Sequence, residues 1–437
     1  MTRVLFACWP FESHIFPQLG IALALRERGA EVAFCTDGSA RALIEGQGFE
    51  LFPFAHVPPA WERVHGRGAS GGRETIQLLR DARGWIVGTI PAQVADVQDA
   101  VARFEPDVLG AEASMWGPLL ILSDLLPIPV ALVSPLIGAG VPGPDAPPPG
   151  GLAPAGTRRA RALNGVAARL ARAVTRPMRR RIDGFRAERG LEPMGCSVHA
   201  FFGRLPLYLV HSVAELDYGR RDLPPTIHYV GDCTWRPADP PGTADWLDAL
   251  PRTRPWVHAT EGSSLSRDPL VLRAAAEGLA GSAVEVIVTT GRLADPHASG
   301  LGKPPPNVHI APWLSHDVLL PRCAAIVTTA GQGTVTVALR SGVPLVVVPA
   351  GFDQPGVAER VVAAGVGVRL SPRRCTPARV RAAVEDVLGD SRYRRNAQRA
   401  AALLSAAPGP GGAAALIEQM ASARGYTSEA SVEKAAG

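Results

Sequence analysis

Residues 326–370 constrain this chain more than any other stretch: IVTTAGQGTVTVALRSGVPLVVVPAGFDQPGVAERVVAAGVGVRL. An apolar strand at Ala325–Val327 runs into a Gly-rich turn, Gly331-Gln332-Gly333-Thr334. A helix-like stretch reaches Leu339, and the chain turns at Gly342-Val343-Pro344. A second apolar strand, Leu345–Val348, ends at Pro349, and Asp353-Gln354 falls in the loop beyond. A strand–loop–helix–strand unit of this kind places its polar groups where strand ends meet helix starts. The free N–H groups at the start of such a helix, together with its positive dipole end, suit a phosphate.

A chain of 437 residues exceeds one ordinary core, so two domains are expected. Apolar runs alternating with helical patterns place both in the α/β class. The net charge of +5 is modest and argues for neither nucleic acid nor membrane. The six cysteines (8, 35, 196, 233, 323 and 375) are scattered without a C-x-x-C, as expected of buried, reduced thiols in a cytoplasmic protein. The first residues, MTRVLFACWPF, lack a signal-peptide pattern, and no apolar run is long enough for an integral membrane span.

Val4–Cys8, a helix over Phe16–Arg28 and Glu31–Cys35 read as a βαβ opening, with further strands at Pro106–Gly110, Val130–Ser134 and Leu207–His211. Gly138–Pro154 is a Pro/Gly-rich loop. Residues 157–190 are helix-like and carry eleven arginines against Asp183 and Glu188. They read as a solvated helical face, or as an acceptor-side cap or a surface for acidic partners. Aromatic residues do not interleave with them before Phe185, so stacking on nucleic acid is not expected. A second α/β pattern runs through Trp256–Thr260, Val284–Thr289, Val308–Ala311, Ala325–Val327 and Leu345–Val348. The expected division is an N-terminal domain over 1–212, a linker over 213–251 and a C-terminal domain over 252–395. C-terminal helices over 396–425 and a disordered tail over 426–437 complete it.

The 326–370 unit resembles the donor-binding pattern of family 1 glycosyltransferases, H-G-G-x-G-T-x-x-E-A-L-x-x-G-V-P followed by P-x-x-x-D-Q-P-x-N-A-x-R-V. Gly331, Gly333, Thr334, Ala338, Leu339, Gly342, Val343, Pro344, Pro349, Asp353, Gln354, Pro355, Ala358, Arg360 and Val361 match. Thr329 stands where the family has His, Ala330 where it has the first Gly, and Val337 where many members have Glu. The resemblance extends to the bacterial natural-product and macrolide enzymes and the plant secondary-metabolite enzymes. It implies a GT-B fold: two Rossmann-like doubly wound domains facing across a cleft, with the C-terminal helix packing back on the N-domain.

Phe11-Glu12-Ser13-His14-Ile15-Phe16-Pro17 follows the first strand and is similar to the family's G-H-x-x-P loop. That likeness makes His14 the general base. An imidazole of ordinary pKa, roughly 6.5, is largely neutral at pH 7 and can accept a proton. Without the resemblance, His14 reads as a loop residue capping the first helix. The family's Asp partner to this base corresponds by position to Glu112, whereas Asp107 lies at the wrong end of its strand. The resemblance also implies that Ser263 and Ser264 face the donor diphosphate, with Thr329 and the Gly331, Gln332, Gly333 and Thr334 turn. It puts Trp313 on the nucleotide base and Asp353 and Gln354 on the sugar hydroxyls. Each also has a plain reading as a loop or core residue.

No D-x-D or metal-ligand spacing occurs in the sequence, in keeping with metal-independent transfer. The expected activity is inverting sugar transfer from a dTDP- or UDP-sugar to a bulky apolar natural product, with no cofactor beyond that co-substrate, by a monomer or homodimer. Phe52, Phe54, Trp61, Trp85, Phe201 and Phe202 are candidates for the acceptor side, and core packing explains them equally well. A sugar-nucleotide epimerase or hydrolase of the same fold, or a non-catalytic binding protein derived from it, stays open at this point.

Overall fold

The computed structural model describes residues 1–58, 84–135, 141–143, 146–147, 158–237, 242, 244–262, 269–291, 301 and 304–435. Short, almost uniformly buried apolar runs become the strands of two sheets. This is the pattern of parallel strands covered on both faces. The first sheet comprises β1 (Arg3–Ala7), β2 (Glu31–Thr36), β3 (Glu50–Pro53), β4 (Val108–Glu112), β5 (Val130–Ser134), β6 (Leu207–Val210) and β7 (Ile227–Tyr229). The second comprises β8 (Trp256–Thr260), β9 (Glu285–Thr289), β10 (Val308–Ala311), β11 (Cys323–Thr328), β12 (Leu345–Val347) and β13 (Gly367–Arg369). Their orders are β3-β2-β1-β4-β5-β6-β7 and β10-β9-β8-β11-β12-β13, with parallel pairing throughout.

Each order reverses at one place, between β1 and β4 and between β8 and β11. Ligands of open α/β sheets bind outside the carboxyl ends of strands at such switch points. The close β1–β4 contact depends on Gly110, where an added Cβ would lie 2.5 Å from the Phe6 ring. His14 follows β1 and Glu112 ends β4, so the topology brings together two groups 98 residues apart.

Three expectations change. The stretch 213–251 is not all linker, because β7 pairs with β6 and belongs to the first sheet. A three-residue strand flanked by Pro-rich sequence is too short to show a period. The short strand β13 likewise continues the second sheet beyond Leu345–Val348. Finally, the last helix runs over Gly409–Ala435 rather than giving way to a disordered tail at 426. Ala, Glu and Lys favour helix there, and no proline stops it.

The C-terminal helix returns to the N-domain. Ala413, Ala414 and Ile417 are fully buried in the core formed with the helix Glu12–Glu27, and Arg28 pairs with Glu418 at 2.7 Å. The linker passes close to that same helix, where a Cβ at Gly20 would lie 1.8 Å from the Cys233 carbonyl oxygen. All six cysteines are unpaired, and only Cys196 is not fully buried. The Arg-rich segment forms the helix Arg158–Ala187. Leu163, Val166, Leu170 and Val174 are also 59–69% exposed along it, which a solvated arginine face does not explain. Among the described residues no single helix is long and apolar enough to cross a membrane.

Two histidines lie within the cores, and a third, the half-buried His316, stands against one of them with ring centroids 5.4 Å apart. Burial pushes His211 down to about 4 and His258 to about 3, the latter helped by the neighbouring His316. His316 falls to about 4 through burial and Arg236. Each depressed pKa favours the neutral ring. The stability these groups contribute is therefore complete above pH 6.5 and is lost as pH falls toward 4. The loss is expected to be on the order of 3 kcal/mol for each of His211 and His258. Denaturant midpoints measured from pH 7 to 4 should fall across that window. A flat profile would contradict the burial of neutral rings.

Candidate active site

The loop after β1 opens the helix Glu12–Glu27 and leaves His14 in its first turn, with its side chain 22% exposed at the end of the first sheet. Glu112, the last residue of β4, is completely buried. His14 Nδ1 lies 2.9 Å from Glu112 Oε2. A carboxylate only accepts, so Nδ1–H donates and the lone pair of Nε2 is left for a ligand. Ser114 adds a third group: its hydroxyl lies 2.9 Å from His14 Nδ1 and donates to Glu112 Oε2. Burial alone would lower the His14 pKa, but the Glu112 charge and hydrogen bond, with the charge of Asp353, raise it above its usual value.

Asp353 approaches from the other domain, at the N-cap of the helix Gln354–Ala363. Burial pushes its carboxyl up to about 6, His14 pulls it down and Glu112 pushes it up, so the three groups share one electrostatic neighbourhood across the cleft. Its Oδ2 is buried without a hydrogen-bond partner. An orphaned carboxylate oxygen facing the cleft is a ready acceptor for a ligand hydroxyl.

In the second sheet, the helix Gln332–Arg340 starts at the switch point with Gly331 as its N-cap. Its first-turn N–H groups have no partners within the helix. A Cβ added at Gly331 or Gly333 would meet nothing within 4 Å, so these glycines border open space, as close approach of a phosphate requires. The loop after β8 completes the place. Thr329 donates to the Glu261 carbonyl at 3.3 Å, and a Cβ at Gly262 would lie 3.6 Å from Thr334 Oγ1. Trp313, two residues beyond β10, is half-buried.

This arrangement pairs an imidazole–carboxylate dyad on one sheet with an open, glycine-bordered helix start on the other. A family model, erythromycin biosynthesis protein CIII-like, C-terminal domain, matches residues 276–420. The chain is 32% identical over 406 residues to the 4'-demethylrebeccamycin synthase of Lentzea aerocolonigenes, covering 91% of this chain and 94% of that one. The chain belongs to the glycosyltransferases of natural-product biosynthesis. Over half of its length (50%, against 47% of the relative) it is 36% identical to the PGL/p-HBAD biosynthesis rhamnosyltransferase of Mycobacterium bovis (strain BCG / Pasteur 1173P2) across 222 residues. The crystal structure of the glycotransferase of kitacinnamycin superposes with a TM-score of 0.71 at 24% identity, over 96% of this chain and 99% of that one. Glycosyltransferase VinC in complex with dTDP superposes with 0.65 at 20% identity, over 96% and 100%. These likenesses show the GT-B fold.

Not every expected donor residue of this glycosyltransferase points at the cleft. Gln354 spends its side-chain oxygen on the backbone N–H groups of Ala350 and Gly351, at 2.8 and 3.1 Å, so it shapes the loop before Asp353. The Thr329 hydroxyl proton is likewise spent on Glu261. Val337 is buried in the core, where its apolar side chain fits. Gln332 donates to Thr336 Oγ1 at 3.0 Å, while its own oxygen is buried without a partner. Ser263, Ser264 and Trp61 lie outside the described residues.

Ala330 shows why the family has glycine there. It is fully buried with φ of +66° in the glycosyltransferase, a left-handed conformation that costs an L-residue about 1–2 kcal/mol. Ala330→Gly should relieve this strain while loosening the unfolded chain, for a net gain of about 0.5–1 kcal/mol in denaturant titration. Destabilisation by that substitution would show that the turn is not strained.

Of the aromatics expected on the acceptor side, Phe54 and Trp85 gather on Trp9, with ring centroids 6.0 and 5.4 Å apart, and Phe11 of the same cluster lies 5.4 Å from the His14 ring. Phe52 and Phe201 are core residues, and Phe202 packs at the core's edge. Sequence reading missed Ser114 and Trp9, although both stand next to strand ends that face the cleft.

Proposed function

We propose that this glycosyltransferase inverts the donor's anomeric centre and needs neither a metal nor a further cofactor. The donor is a dTDP- or UDP-sugar and the acceptor a bulky apolar natural product. The carrying observation is His14, held at 2.9 Å by the buried Glu112 and facing Asp353 across the cleft. His14 Nε2 takes the proton of the acceptor hydroxyl as its oxygen bonds to the anomeric carbon. The bond from that carbon to the diphosphate breaks on the opposite side, and its electron pair leaves with the nucleoside diphosphate. The helix start at Gly331–Thr334 supports the departing charge through N–H groups aimed at it. Asp353 accepts from sugar hydroxyls. Trp313 offers a flat face for a pyrimidine, and the Trp9, Phe54 and Trp85 cluster offers an apolar wall for the acceptor. Two similar proteins, a 4'-demethylrebeccamycin synthase and a glycosyltransferase in complex with dTDP, support the acceptor and donor classes.

The test incubates the protein with dTDP- and UDP-sugars, with and without a panel of aromatic and polyketide aglycones, and follows nucleoside diphosphate and glycoside by mass spectrometry. Release that depends on acceptor and yields a glycoside supports the proposal. Release without acceptor would replace it with hydrolysis, and binding without release with a non-catalytic role.

A further inference from the structure

Arg360 matches the donor-binding pattern in sequence, yet its side chain turns away from the donor place. It is 5% exposed, and its guanidinium meets Asp217 Oδ1 through Nε at 2.7 Å and Nη2 at 2.6 Å. Because β7 belongs to the first sheet, Asp217 lies within the N-domain, between β6 and β7. The pair therefore joins the two domains across 143 residues of sequence. Asp217 is fully buried and also accepts from Tyr229 Oη at 2.5 Å. Arg220 stands 3.9 Å away, itself balanced by Asp222 at 2.8 Å. Tyr218 takes a left-handed φ of +63° that brings its ring to 4.8 Å from the Arg360 guanidinium. Strain kept at such a point marks a geometry that its surroundings enforce.

Arg360 and Asp353 sit on one rigid element. They stand seven positions apart along it, a lever of about 10 Å. One end is fixed to the N-domain by the ion pair, and the other presents Asp353 to His14. A cavity of ≈ 410 Å³, lined by Tyr218, Arg360 and Ala364 among others, adjoins the bridge. Apolar side chains of both domains, Val213 and Ile227 with Val357 and Val361 among them, belong to one core cluster beside it, and the ion pair adds a directed charged contact across the junction. We propose that the Arg360–Asp217 bridge is a positioning device that sets the helix Gln354–Ala363 against the N-domain and thereby holds Asp353 opposite His14. Its catalytic consequence rests on the function proposed above; its geometric content does not. Misplacing a group far from the reacting atoms by about 1 Å can cost up to 10²-fold in rate.

The test uses full-length protein with 13C-labelled histidine and follows the His14 ring through a pH titration by NMR, its signal assigned by its absence in His14→Ala. The charged groups facing His14 are Glu112 from β4 and Asp353 from the helix Gln354–Ala363. Asp353→Asn removes the far charge and should lower the pH at which His14 titrates, setting the full effect. Arg360→Gln should reproduce at least half of that shift, and Arg360→Lys, which keeps a cation near Asp217, a smaller part. In transfer assays Arg360→Gln should lower kcat by about tenfold or more, while binding of dTDP alone changes by less than about threefold. A contribution to stability alone would leave the His14 titration of the folded molecules unmoved. If the Gln variant does not fold, the Lys variant carries the test. An unshifted His14 in the Arg360 variants overturns the proposal, as does one that ignores Asp353→Asn. Wild-type protein inert on every acceptor would instead overturn the transferase chemistry, with the titration still readable.

Discussion

His14→Ala is expected to lower kcat for sugar transfer by about 10²–10⁴-fold and to leave nucleoside diphosphate binding intact. The size follows from what is removed. An acceptor hydroxyl is a poor nucleophile until its proton is taken, and Nε2 is the lone pair left by the Nδ1–H donation to Glu112. The donor place proposed on the second sheet is untouched by the substitution. Calorimetric titration with dTDP or UDP should therefore match the wild type while the glycoside product disappears. In the wild type, kcat/KM should rise with pH through a limb above 6.5. The base works only when neutral, and Glu112 and Asp353 together outweigh burial in raising its pKa. Near-normal turnover in His14→Ala would place the base elsewhere.

The second large effect is expected from Glu112→Gln, a loss of at least about 10²-fold in kcat. Gln keeps the length and much of the shape but removes the charge that stabilises the imidazolium as the proton arrives. Its amide can also present an N–H to Nδ1, which would turn the ring to the wrong tautomer. Without that charge, burial dominates, so the limb of the pH profile should move to lower pH as activity falls. A simple loss of packing would lower activity without moving the limb. Retention of activity within about threefold would leave Glu112 a buried structural carboxylate. Its Oε1 is buried without a partner, an expense that an orienting role accounts for and a packing role does not.

Legibility followed the range of the physical signal. The βαβ opening and the Gly331–Thr334 turn were readable because apolar runs and glycine spacing act over a few residues. The strand β7 was not, since three residues flanked by Pro-rich sequence carry no period and gain their place only by pairing with β6. The donor pattern was legible as a pattern, but individual roles within it were not. Gln354 serves its own loop and Arg360 serves the other domain, and both match the family's letters as well as Asp353 does.

The sequence by itself determined that two doubly wound domains form, that a glycine-rich helix start lies in the second, and that an imidazole follows the first strand. Each of these rests on local geometry that neighbouring residues impose. The resemblance pointed to Glu112 by position, and the sheet order brings it to His14 from 98 residues away; tertiary structure alone decided that Ser114 joins them. It alone decided that Ala330 is held left-handed and that Asp217 receives Arg360 across the domain junction. Those choices depend on sheet order and on how burial strengthens charge pairs. Both are properties of the assembled chain, since a side chain's partner is set by the strand that the topology lays beside it.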